Sequence, residues 1–228
     1  DFPGSLEGSY DLWLRANHPA KYKTTADFQD AQIGFLKSLR DALKMPIIPN
    51  MDGFTITLFP DFFKRMAIAA GGAENEIFPE EMPVEDLRVF LNTVKSLPKN
   101  TQIRFSSKPS PKSIAGNIDK TLFDYYSYLL IASRDREVYW TFKEWGSDIP
   151  HYWYREFDLD IGEPEEEFQE IDGFFKRDLK NARVVVNPTA DDLAYNFSGT
   201  FYNVLGETLE NPIELAGRSA ILLIKQES

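Results

Sequence analysis

Four strand-like segments recur along the first 142 residues at a nearly constant interval, and helical periodicity fills the gaps between them. MPIIPN (45–50) reads as a short buried strand, and GGAENEIF (71–78) holds a second. TQIRFSS (101–107) and EVYWTF (137–142) carry the branched and aromatic residues that strands favour. Their centres near Ile47, Asn75, Arg104 and Trp140 lie 28, 29 and 36 residues apart. Apolar residues fall at helical spacing in 26–44, 60–70, 83–97 and 120–133. Thr25 is the predicted N-cap of the first helix, and Gly71-Gly72 ends the second. A βα unit of a (β/α)8 barrel takes about 30 residues. The spacing therefore predicts an α/β fold with about four βα units, half of a TIM-type barrel.

Beyond Phe142 the pattern changes. Residues 143–172 are expected to be a loop rich in aromatics and acids. After it a two-residue alternation predicts strands in FFKRDL, ARVVVNP, LAYNFSG, TFYNVLG, NPIEL and SAILLIK. The expected division is a partial barrel over 1–172 and a small antiparallel β domain over 173–228.

Composition narrows the partners. A net charge of −11 with no Lys/Arg cluster argues against nucleic acid and against an anionic membrane surface. With no cysteine there are no disulfides, thiolate zinc sites or cysteine nucleophiles. That leaves the compartment open and is compatible with a secreted or periplasmic protein. Two histidines, His18 and His151, are too few for a multi-histidine metal site, so neither metal nor cofactor is expected. No apolar run reaches eighteen residues. No glycine-rich phosphate loop follows the first strand, which disfavours a doubly wound nucleotide-binding fold.

Several motifs carry a resemblance. They are a strand ending in Pro-Asn, a strand reading Gly-Gly-Ala-x-x-Glu-x-Phe, the late strand VYWTF, and above all the tail FDLDIGEP, GFFKRDLKNARVVVNPT and NPIELAGRSAILL. Together, over about residues 45–224, they resemble the C-terminal half and β tail of uncharacterised glycoside-hydrolase-like barrels distantly related to the α-amylase superfamily. Leu179 stands where that tail usually has an aromatic, and Ala182 where it usually has glycine. Barrel strands one to four are missing. Asp1-Phe2-Pro3-Gly4 looks like the end of strand four, so pairing of half barrels or a homodimer through the open barrel edges is expected.

The resemblance implies cleavage of O-glycosidic bonds in a poly- or oligosaccharide. Glycoside hydrolysis needs two carboxylates, one protonated to assist the leaving oxygen and one ionised. Glu76 aligns with the acid, and Asp1 would be its partner. Glu74 points to the same side of the strand as Glu76. Asn50 and Asp52 follow the first strand, and Lys143, Glu144 and Trp145 follow the last. With Trp140, they are the expected sugar contacts. Trp153 and its tyrosine neighbours could equally be loop packing, and Glu76 could equally be a structural acid paired with Arg104. The alternative to an enzyme is a non-catalytic half barrel that dimerises and at most binds carbohydrate.

Overall fold

A computed structural model describes residues 24–51, 55–75, 82–107, 118–132, 137–142 and 153–226. It divides into two compact units that interleave along the chain. The first takes 1–77, 88–106 and 135–139; the second takes 78–87, 107–134 and 140–228.

In the first unit, α1 (Thr25–Leu43) packs on α3 (Pro60–Ala70), with the short α2 (Thr55–Leu58) beside α3. The α1 cap is Thr24, one residue before the predicted one. Its hydroxyl accepts from the Asp27 amide while the Asp27 carboxylate accepts from the Thr24 amide, a reciprocal capping box. Helix α3 buries Phe62, Phe63, Met66, Ala67 and Ala70 at helical spacing and ends on Gly71, whose φ of 87° suits glycine. Strand β1 (Gly72–Asn75) leads through α4 (Val84–Lys95) to β2 (Gln102–Ser107). The two strands pair in parallel, Glu74 opposite Arg104. Phe90 of α4 packs against Phe105 of β2 with ring centroids 4.9 Å apart. The three-stranded sheet runs β1-β2-β3, β3 being Val138–Phe142.

The expected half barrel is not what forms. Four βα units need four consecutive strands in one parallel sheet, whereas the larger sheet is antiparallel and, among the described residues, the sheet that holds the parallel pair β1–β2 has three strands. MPIIPN forms no strand. Pro46 and Pro49 remove two ladder donors, so the segment lies beside β1 as an extended strap whose backbone pairs with it at the bridge Asn50–Glu74. The expected homodimer rested on exposed barrel edges and loses that basis.

The second unit is a layered β structure. Its main sheet has the order β4-β5-β6-β10-β8, and a two-stranded sheet pairs β7 with β9. The strands are β4 (Gln169–Ile171), β5 (Phe174–Asp178), β6 (Ala182–Asn187), β7 (Leu193–Tyr195), β8 (Phe201–Tyr202), β9 (Ile213–Leu215) and β10 (Ser219–Lys225). Each segment with two-residue alternation contains a strand. Strand β4 lies in the stretch expected to be loop. Asp172 and Gly173, at φ 52° and 85°, make the tight turn that joins it to β5. Phe174, Val185, Tyr195, Phe201, Leu215 and Leu223 form the core between the sheets. Val184, Val186 and Leu222 fall on the other face by strand alternation. Helix α5 (Ile118–Leu129) packs on β6 and β10. Strand β6 is thus buried on both faces, which explains its unbroken VVV.

Two residues of the tail motif turn out to bolt this unit together. Arg177, 3% exposed, crosses from β5 to the end of α5 and donates to the carbonyls of Leu129 (3.1 Å) and Ala132 (2.6 Å). It also donates to Glu166 O at 2.8 Å. Asn187 donates to the carbonyls of Asp191, Leu215 and Ala216 and accepts from the Thr189 amide and hydroxyl. That holds the β6–β7 connection against the end of β9.

Asp178 and Arg183 face each other across β5 and β6 in a bidentate pair of 2.7 and 3.1 Å. Burial raises the Asp178 carboxyl, but the hydrogen bonds and charge of Arg183, with the charge of Lys176, outweigh it and hold the group below its ordinary value of 3.8. A lowered folded value stabilises the fold above that ordinary value, and the stabilisation fades as pH falls through the lowered one. Asp178→Asn should therefore be less stable than the native chain at about pH 6, with the gap narrowing below about pH 4. Denaturant melts across that range measure it.

Candidate functional site

The site is built on the carboxyl end of the parallel pair in the first unit. Ligands of parallel α/β sheets bind outside the carboxyl ends of the strands, where backbone polar groups and loops converge. The proline-limited strap brings Asn50 there. Glu74 N–H donates to Pro49 O at 2.9 Å, and Met51 N–H donates to Glu74 O at 2.8 Å. Asn50 and Glu74 are therefore neighbours across this join. Glu74 is half-buried, while Asn75 and Ser106, at the same ends of β1 and β2, are fully buried polar residues. Polar groups are retained in a core where a network or a ligand needs them.

Gly72 makes the join possible. A Cβ there would lie 2.6 Å from Gln102 O, a backbone atom of β2, and 2.3 Å from Ile48 Cδ1 in the strap. Gly72→Ala should destabilise the first unit by about 1–3 kcal/mol, the usual effect of overpacking. Chemical denaturation reads this directly, and an unchanged midpoint would contradict the close approach.

Of the expected site residues, Asn50 and Glu74 are brought together. Arg104, which the alternative structural reading pairs with Glu76, is the ladder partner of Glu74. Asp1, Asp52, Glu76, Lys143, Glu144 and Trp145 lie outside the described residues, as do both histidines.

Trp140 belongs to the second unit, where it is part of an aromatic cluster. Its indole N–H donates to Ser107 Oγ at 2.8 Å. Its ring lies 5.6 Å from Tyr125 and 5.8 Å from Phe157, and stacks on Tyr128 at 6.3 Å. Phe157, on the 3-10 turn Arg155–Asp158, also meets the rings of Tyr154 and Trp153. Trp153 is 73% exposed, with its indole N–H fixed on Asp158 at 2.8 Å. Burial, with the neighbouring Tyr128 and Glu156, pushes the Tyr125 hydroxyl up to about 12, and burial raises Tyr126 as well. Both stay neutral near pH 7 and pack by their rings, Tyr125 against Tyr126, Tyr128, Trp140 and Phe157.

The buried Asn75 and Ser106 were missed from the sequence. Strand alternation places Asn75 on the face opposite Glu74, so that signal was present. Among the described residues, no group of three or more His, Asp or Glu side chains could hold a metal ion. None of their helices is long and apolar enough to cross a membrane. No family model matches the chain, and no curated protein matches it.

Proposed function

We propose that the chain hydrolyses O-glycosidic bonds of a poly- or oligosaccharide, with Glu76 as the acid that protonates the leaving oxygen and Asp1 as its carboxylate partner. The observation that carries this reading is the Asn50–Glu74 join at the carboxyl end of the parallel β1–β2 pair. Glu76 follows β1 by a single position after Asn75. The proposal needs a polar strand end, and Asn75 and Ser106 are compatible with one. It does not need a half barrel.

In this reading Asn50, Asp52 and Glu74 hold sugar hydroxyls. The test is release of reducing ends from a panel of polysaccharides by the native chain and by Glu76→Gln. Turnover that Glu76→Gln leaves unchanged overturns the assignment.

A further inference from the structure

The second unit contains a cavity of about 540 Å³ at the mouth of its two sheets, bounded by the β4–β5 turn, the β5 and β6 strands and the β7–β8 loop. Its volume lies in the range of small-molecule sites. One wall is aromatic: the half-buried Phe197, backed by the core residues Phe174 and Tyr195. Tyr195 and Phe197 lie nearly parallel, 6.4 Å apart and inclined by 26°, while Phe174 meets Tyr195 edge-on at 5.2 Å. The other wall is polar: Asp172, Lys176, Arg183, Asn196 and Ser198.

The positive charges of that wall are already countered. Arg183 is held bidentately by Asp178. Lys176 Nζ lies 3.3 Å from Asp178 and 3.6 Å from Glu166. A phosphate or carboxylate entering the cavity would compete with these carboxylates and also meet Asp172. What the wall offers instead is a mixture of donors (Lys176, the Asn196 amide) and acceptors (Asp172, the Asn196 carbonyl, the Ser198 hydroxyl). Hydroxyl groups require both. The half-buried Phe197 beside these donors and acceptors suits the C–H face of a sugar ring.

We infer that this cavity is a binding site for a short neutral oligosaccharide, carried by the β unit and made without Glu76. It goes beyond the proposed hydrolysis and stands or falls separately from it.

The test is amide NMR titration of the full chain with neutral gluco-, xylo-, manno- and galacto-oligosaccharides, with inorganic sulfate and a uronic-acid oligosaccharide for comparison. The expected result is a Kd of about 1 mM or tighter for a neutral sugar, with shifts centred on Asp172, Ala194, Asn196 and Ser198. Ala194→Trp, at an exposed cavity position, should weaken it by at least about tenfold without changing the melting temperature. Asp172→Asn keeps a residue type that tolerates the φ of 52° and removes only the charged acceptor. It should weaken binding too, and it decides the matter if Ala194→Trp does not fold. No neutral sugar binding, binding that both variants leave intact, or preference for sulfate or the uronic acid would overturn the inference.

Discussion

Replacing Arg177 with methionine should lower the stability of the β unit by about 3 kcal/mol or more. In a chain of this size that corresponds to a fall in melting temperature of about 6–12 °C. The last carbonyls of a helix have no partner within it, and at the end of α5 the guanidinium takes two carbonyls, Leu129 O and Ala132 O, from inside the fold. A cation there also meets the negative end of the helix dipole. Methionine preserves much of the volume but leaves these carbonyls and Glu166 O short of a donor, and each buried loss costs about 1–3 kcal/mol. Arg177→Lys should recover part of the effect, because one ammonium cannot reproduce the planar fork. Thermal unfolding checks the magnitude, and hydrogen exchange at 129–132 checks the place. A methionine variant that melts with the native chain would show that Arg177 is not what fastens α5 to the sheet.

The helices were legible from sequence because their apolar stripes are long: Phe63, Ala67 and Ala70 in α3, or Leu87, Phe90, Leu91 and Val94 in α4. The tail strands were legible because β6 and β10 bury alternate or continuous apolar residues. The half barrel failed at MPIIPN. Ile47 and Ile48 look like a buried strand, but the flanking prolines remove the hydrogen-bond donors a central strand needs. Strand β4 was missed although Ile171-Asp172-Gly173-Phe174 carries the Asp-Gly turn that signals a hairpin. The acids around it masked its weak alternation.

At the site, Asn50 was expected beyond a barrel strand; its meeting with Glu74 was not legible, because it comes from the proline-limited strap and not from a strand end. Nor was the role of Trp140 in packing, since it depends on rings from α5 and the 155–158 turn meeting around Phe157. The sugar-sized cavity was illegible for a related reason. Its walls come from five stretches between 171 and 198 that only the sheet pairing brings together. Arg177 and Asn187 were noticed only as motif letters, and their work is holding the β unit together.

Glu76→Gln is the other large expected effect. The substitution keeps the size of the side chain and removes the proton that a leaving oxygen must receive. General acid catalysis contributes about 10²–10⁴-fold, so turnover should fall by that factor while the melting temperature stays at the native value. The measurement that tests the central claim most directly is the rate of reducing-end release from the polysaccharide panel by the two chains side by side. Release by the native chain that drops at least about a hundredfold in Glu76→Gln is the result expected of a glycoside hydrolase acting through this carboxyl. No release by the native chain from any member, or equal release by both, would contradict it, and sugar binding without turnover would leave a carbohydrate-binding protein in its place.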